Sequence, residues 1–383
     1  MFDHLNLCDM TMDIDQPLPL LGGLSARAFM REYWHKKPLL VRGAMPGFVP
    51  PLDRTRVLAL AADERVESRL IEQTQVAPGW RLTHGPISKR QMPKLSQPGW
   101  TVLVQGVDTH SEAVHEIARQ FRFIPDARLD DVMISYASDQ GGVGPHFDSY
   151  DVFLLQASGT RRWSIGQQDD LSLQDDVPLK ILTHFKAEET WDLGPGDMLY
   201  LPPKWAHDGV AQGGDCMTYS IGFRSPQRAG LASELLQRMA EHWEDEQLYA
   251  DPDQAATTVP ACMPQGLIRF AHEGMQAMLN DPTALACALG EVMTEPKPKV
   301  WFDAPEQEWR DGAVVLDRRT RMMYDDMHVF INGEALRAEG EDANLMRRLA
   351  NDRMLDHASV LQASDDAQAV LQDWYEAGWL HLS

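Results

Sequence analysis

The stretch GPHFDSYDVFLLQASGTRRW, residues 144–163, carries the reading on which the fold turns. It opens on a Gly-Pro turn, enters the apolar series Val152-Phe153-Leu154-Leu155, breaks at the turn Ser158-Gly159-Thr160 and resumes in Arg161-Arg162-Trp163. Short apolar runs bounded by turn residues read as strands. From about Trp100 to Ser225 the same texture recurs in TVLVQGV, DVMISYAS, DMLYLPP and CMTYSIGF, a pattern that predicts a β-sandwich or small barrel.

Working outward, LSARAFMREYWHKKPLLVR (residues 24–42) begins with Ser25 as N-cap of a helix that Pro38 stops before a strand. Beyond Pro226, LASELLQRMAEHWEDEQLY and GLIRFAHEGMQAMLNDPTALACALGEVM carry apolar residues at helical spacing. The segment EPKP (295–298) reads as a linker. After it, AVVLDRRTRMMY and MHVFING alternate as strands, and NLMRRLANDR and AQAVLQDWYEAGWL repeat as helices, which predicts a third, small α+β domain. No internal repeat is visible, which argues against a solenoid.

A chain of 383 residues with 44% apolar and 24% charged residues can bury a sizeable core, so a disulfide-dependent miniprotein and a disordered chain are both excluded. Cys8, Cys216, Cys262 and Cys287 show no C-x-x-C spacing, and reduced, structural thiols are expected. No apolar run is long enough to span a bilayer, and Arg27 comes too late to begin a secretory signal, so a cytoplasmic protein with no membrane partner is expected. The net charge of −22 disfavours direct nucleic-acid binding and suits basic partners, although plain solubility explains it equally well.

On an extended strand the two-residue spacing of His146 and Asp148 places both side chains on one face. The segment GPGDMLYLPPKWAHDG (194–209) then supplies His207 as a third ligand from a distant strand. Two imidazoles and one carboxylate leave three positions of an octahedral metal open, the arrangement of non-haem Fe(II) oxygenases. A structural zinc site would be closed and richer in cysteine. Ordinary hydrogen-bonded histidines are the competing reading. Arg161, with a planar fork matched to a carboxylate, is the candidate for the far carboxylate of 2-oxoglutarate, unless it makes a surface salt bridge; Arg162 alternates to the opposite, solvated face. Strand periodicity puts Asp131, Met133 and Ser135 on one face, with Ser135 able to donate to the co-substrate. Asp131, Met133 and Tyr150 would form a pocket for a guanidinium or ammonium group, with Ser220 completing it; Met133 as core and Asp131 as a turn residue is the alternative.

Through YWHKKPLLVRG, DDVMISY, the 144–163 stretch, PGDMLYLPPKWAHDG and YSIGFRSP, the chain resembles the JmjC-type 2-oxoglutarate oxygenases, and within them the bacterial ribosomal oxygenases. The resemblance implies Fe(II) at His146, Asp148 and His207, 2-oxoglutarate at Ser135 and Arg161, and O2 as second co-substrate. It implies β-carbon hydroxylation of an arginine in a basic protein of the large ribosomal subunit, with succinate and CO2 as co-products. Many JmjC enzymes carry Lys in place of Arg161, whereas Gly159-Thr160-Arg161-Arg162-Trp163 keeps the ribosomal form, which argues against histone demethylation. The implied fold is α+β: a JmjC oxygenase domain (1–226) with a double-stranded β-helix (jelly-roll, cupin-like) at about 100–225, a helical dimerisation domain (227–295) and a winged-helix-like C-terminal domain (296–383). A homodimer is implied. Alternatives are a histidine hydroxylase or demethylase of the same fold, and a non-catalytic cupin-like binding protein.

Overall fold

Ser25 opens helix α1 (Ala26–Glu32), its hydroxyl accepting the Ala28 N–H at 3.2 Å. The helix stops at Glu32 rather than running up to Pro38, and His35 in the intervening turn takes φ +57°. The structure, a computed structural model, describes residues 13–77 and 79–383; Cys8 lies outside them. Among the described residues the cysteines are free, and no helix is long and apolar enough to cross a membrane.

The chain divides at Ser225 and Pro226 into two units. In the first, α1 is followed by β1 (Leu39–Val41), α2 (Arg54–Ala61), β2 (Ser68–Gln73), β3 (Trp80–His84), β4 (Trp100–Val104) and α3 (Glu112–Arg119). Then come β5 (Leu129–Ala137), β6 (Asp151–Gly166), β7 (Glu189–Leu193), β8 (Met198–Leu201) and β9 (Ala206–Phe223). These nine strands form one antiparallel sheet in the order β1-β8-β6-β9-β5-β4-β2-β3, with β7 on the free flank of β6. One face is apolar and carries the main core, including Phe29 of α1, Val57 of α2, Ile117 of α3, Phe153, Tyr200 and Phe223. Each large apolar side chain buried there contributes about 1.5–3 kcal/mol relative to exposure. The other, inner face holds a smaller cluster of Val152, Leu154, Trp163, Ile165, Leu193, Leu199 and Leu201.

That inner list contains even numbers before residue 158 and odd numbers after 160, and the change of parity has a visible cause. Segments 152–157 and 161–166 are one strand, not two strands joined by a turn. Against β9 the register slips between Gln156 and Ser158 and again between Ser158 and Thr160. The expected turn at Ser158-Gly159-Thr160 is therefore a bulge, which leaves residues unpaired but keeps the strand running. Gly159 sits there at φ +64°, where a Cβ would lie 2.9 Å from Cys216 Cα, so the position excludes a side chain both by conformation and by space. The bulge turns Arg161 inward and Arg162 out to Asp192 at 2.8 Å.

The second unit opens with α4 (Arg228–His242), α5 (Gln265–Leu279) and α6 (Pro282–Thr294). The sequence predicts that α4 continues through Tyr249, yet it ends at His242. The next residues are Trp243-Glu244-Asp245-Glu246, and acidic charge is unfavourable at the negative end of a helix. Asp281 caps α6 through the N–H groups of Thr283 and Ala284, with Pro282 at the first helical position. Strands β10 (Val314–Leu316), β14 (Met354–Leu355) and β15 (Leu380–Leu382) form one three-stranded sheet. A second contains β11 (Met322–Tyr324), β12 (His328–Ile331) and β13 (Glu334–Arg337). Helices α7 (Gly340–Asp352), α8 (His357–Leu361) and α9 (Asp365–Glu376) complete the unit around Leu349, Leu371 and Trp374. Within it Asp317 is buried and fully engaged. Arg319 donates to both carboxylate oxygens at 2.7 and 2.9 Å, His381 Nε2 lies 2.7 Å from Oδ2, and Arg353 donates to the Asp317 carbonyl at 2.7 Å.

Candidate active site

His146 and Asp148 do not lie on a strand, as their spacing suggested; they precede β6 in an irregular segment. An isolated antiparallel bridge fixes that segment to β9: His146 N–H donates to His207 O at 3.0 Å and His207 N–H returns the bond at 2.8 Å. Further along, Lys204 N–H donates to Asp148 O at 2.7 Å. The bridge, rather than strand periodicity, brings the side chains together. One ligand atom from each of His146, Asp148 and His207 lies within 4.8 Å of the others, and His207 Nε2 is 3.6 Å from Asp148 Oδ2.

Both imidazoles are prepared as ligands. His146 Nδ1 lies 2.8 Å from the Gly144 carbonyl and His207 Nδ1 lies 2.9 Å from the Trp205 carbonyl. A carbonyl can only accept, so each Nδ1 holds the proton and each Nε2 presents its lone pair. Burial, helped by the nearby His146, pulls His207 down to about 4 against the opposing Asp148 charge, so its ring is neutral at ordinary pH. Two imidazoles and a carboxylate grouped within 4.8 Å suit an Fe(II) ion with open positions.

Deeper along the inner face, Arg161 is 3% exposed and poorly satisfied. Nη1 donates to Gly209 O at 3.3 Å and Nη2 to Ser135 Oγ at 3.4 Å, both long, and Nε has no partner. A buried guanidinium in that state is costly alone and is completed by an incoming carboxylate. The observed donor set therefore fits 2-oxoglutarate. Ser135 and Thr218 face one another in the β5–β9 ladder, and Thr218 Oγ1 donates to Gln156 Oε1 at 2.9 Å, making a polar floor next to Arg161.

Met133 and Ser220 are also register partners on β5 and β9, opposite Leu154 of β6. Asp131 does not follow the simple alternation, because the β5–β9 register slips between Leu129 and Val132; its Oδ2 accepts the Gly106 N–H at 3.1 Å. Tyr150 precedes β6 rather than extending a strand. Its hydroxyl is pushed far above the ordinary range, first by burial and then by the charges of Asp148, Asp131 and Asp130. The structure thus gathers Tyr150 with Asp131 at one end of the inner face and Ser135 with Arg161 further in.

Sequence reasoning missed Trp163, Gly209 and Asp208. The Trp163 ring lies over Gly209, where a Cβ would sit 2.5 Å from it, and 5.8 Å from both the His207 ring and the Arg161 guanidinium. Its Nε1 is buried without a partner, as is Asp208 Oδ1. The alternation that singled out Arg161 also selects Trp163 and would have found it.

Residues 116–231 match a JmjC domain and residues 277–381 a ROXA-like winged helix. The chain is 30% identical over 339 residues to the ribosomal protein uL16 3-hydroxylase of Escherichia coli K12, covering 87% of this chain and 89% of that one. It is 37% identical over 212 residues to a probable ribosomal oxygenase of Haemophilus influenzae, covering 54% and 52% of the two chains. The X-ray structure of E. coli YcfD superposes with a TM-score of 0.83 at 27% identity, over 94% of this chain and 98% of that one. A structure of YcfD, a ribosomal oxygenase, with cobalt and 2-oxoglutarate gives 0.79 at 27% identity and the same coverage. The inner-face sheet is the JmjC, cupin-like barrel, and the C-terminal part of the chain is a winged helix.

Proposed function

We propose that this chain, which belongs to the JmjC family of ribosomal oxygenases, hydroxylates the β-carbon of an arginine in a large-subunit ribosomal protein. Its class, an Fe(II)- and 2-oxoglutarate-dependent ribosomal-protein hydroxylase, follows from that membership. The relative's target is uL16, so the uL16 counterpart is the first substrate to test. One observation carries the assignment: three ligand atoms within 4.8 Å stand beside a buried, under-satisfied arginine.

When bound, Fe(II) with 2-oxoglutarate and O2 supplies the oxidising power that unactivated carbon requires. The protein's own groups then have separable tasks. His146, Asp148 and His207 hold the metal on one side and leave the other open. Arg161 pairs the distal carboxylate of 2-oxoglutarate, Ser135 donates to it, and the apolar wall of Leu199, Leu201 and Ile165 excludes water. Asp131, Met133, Tyr150 and Ser220 receive the substrate side chain. Carboxylate and ring together favour a guanidinium over a neutral imidazole, which supports arginine over histidine. Positioning of the target carbon next to the oxidant sets which C–H bond is attacked.

Two coarser features belong to the same proposal. Leu267, Ile268, Met275 and Leu279 of α5 and Leu285 and Leu289 of α6 are exposed, supporting a homodimer that covers them; light scattering tests it. A cytoplasmic location, where a ribosomal-protein substrate would be met, belongs to the same proposal, and cell fractionation tests it. The activity test is anaerobic reconstitution with Fe(II) and 2-oxoglutarate, admission of O2, and mass spectrometry of large-subunit proteins beside an Asp148→Ala control. Gain of one oxygen on an arginine only with the intact enzyme is the expected result. Succinate formation without any modified ribosomal protein would remove the substrate.

A further inference from the structure

At the start of β6, three residues beyond Asp148, lies a charged cluster the mechanism above does not use. Asp151 is fully buried, and three side chains converge on its carboxylate. Tyr200 donates its hydroxyl to Oδ1 at 2.6 Å, while His35 Nε2 and Arg128 Nη2 reach Oδ2 at 2.8 and 3.0 Å. Burial pushes the Asp151 carboxyl upward, and Tyr200, His35 and Arg128 pull against it. The partners are themselves tied down. His35 N–H donates to the Tyr200 oxygen at 2.9 Å, Trp34 stacks on the Tyr200 ring at 5.9 Å, and the Arg128 guanidinium lies 5.2 Å from the Trp34 ring. Arg128 also donates to the Arg224 carbonyl and to Ser225 Oγ just past β9.

We propose that Asp151, gripped by His35, Arg128 and Tyr200, is a positioning residue that sets the 148–150 segment and so aims Tyr150 at the substrate. The cluster joins the turn after α1, the starts of β5 and β6, strand β8 and the end of β9. Between its two anchors, the Lys204 bond on Asp148 O and the Asp151 position held by its grip and by the pairing with Phe223, lie only Ser149 and Tyr150, and the Tyr150 side chain hydrogen-bonds back to Asp148. The Tyr150 ring then lies 3.8 Å from where a Cβ on Gly222 would be, beside Asp130 and Asp131. A buried carboxylate with three donors is expensive to assemble unless its geometry is used.

The inference rests on the arginine-substrate reading for its effect on binding, but not for its effect on the backbone. The experiment compares wild type with His35→Ala, His35→Gln and Tyr200→Phe, all Mn(II)-loaded with 2-oxoglutarate. Amide hydrogen exchange should quicken at residues 146–151 in His35→Ala and Tyr200→Phe and be restored in His35→Gln, which keeps a donor. Affinity for overlapping uL16 peptides should fall about 10-fold in His35→Ala, with 2-oxoglutarate affinity unchanged. Exchange altered only at residues 33–37, or peptide and 2-oxoglutarate affinity lost together, would overturn the proposal. If wild type bound no arginine peptide, the substrate reading would fail while the exchange data still decided the positioning role.

Discussion

Arg161 and Arg319 are both arginines drawn out of solvent, one in each unit, and they are treated in opposite ways. Arg319 makes a two-point pair with Asp317 at 2.7 and 2.9 Å, and His381 and Arg353 fill the remaining acceptors. Arg161 has two long bonds and a bare Nε. The first cluster is complete without any partner, so its free energy is spent on holding β15 to the turn that follows β10. The second is complete only when a carboxylate arrives. Saturation of buried polar groups therefore separates a charge that maintains the fold from one that waits for a ligand.

The sharpest way to break the contrast is at the metal. Asp148→Ala should abolish Fe(II) retention and succinate formation, a loss beyond the roughly 10- to 100-fold typical of groups that only support a ligand; metal analysis and succinate assay check it. Next comes the saturated cluster. Asp317→Asn should cost about 3 kcal/mol, the low end for a broken buried pair because His381 is half exposed, and lower the melting temperature of the second unit without touching 2-oxoglutarate affinity.

Burial alone would raise the Asp317 carboxyl, yet the bonds from His381 and Arg319 hold it far below its ordinary 3.8. A depressed carboxylate contributes stability that is complete above its unfolded value and is lost as pH falls through the folded one. Wild type should therefore lose second-unit stability below about pH 4, and Asp317→Asn should flatten that part of the curve; melting against pH measures both.

Arg161→Met should raise the KM for 2-oxoglutarate by about 10- to 100-fold, the worth of a charge-assisted pair, while the melting temperature holds or rises. A clear fall in melting temperature would show that Arg161 is a fold-maintaining charge after all. The smallest effect belongs to its neighbour: Arg162→Ala removes an exposed pair with Asp192 and should leave stability and kinetics unchanged within error.

Much of this was legible in the sequence because it is local. The Ser25 cap, the strand runs and the spacing of the two site motifs depend on neighbours along the chain. What could not be read depends on pairing. The bulge at residues 158–160 resembles a turn until β9 is laid beside it, and the bridge between His146 and His207 replaces a strand that periodicity invented. Trp163 was legible, since the alternation that turns Arg161 inward turns Trp163 the same way, two residues further along β6. Asp131 kept its place near Tyr150, but a register slip and the bond from Gly106 N–H put it there rather than simple alternation. The early end of α4 was in principle readable, because the acidic run after His242 is plain in the sequence.

The bulge in β6 also determines which accidents this gene can survive. Residues before it line the cavity on one count and residues after it on the other, as a message read in two frames lines up only if the shift between them is kept. Removing one residue from 157–160 would exchange Arg161 for Arg162 and Trp163 for Ser164 along the cavity wall, although every amino acid of the motif remained. Length changes here should be tolerated in pairs or not at all, so in this strand the count of residues carries as much information as their identity.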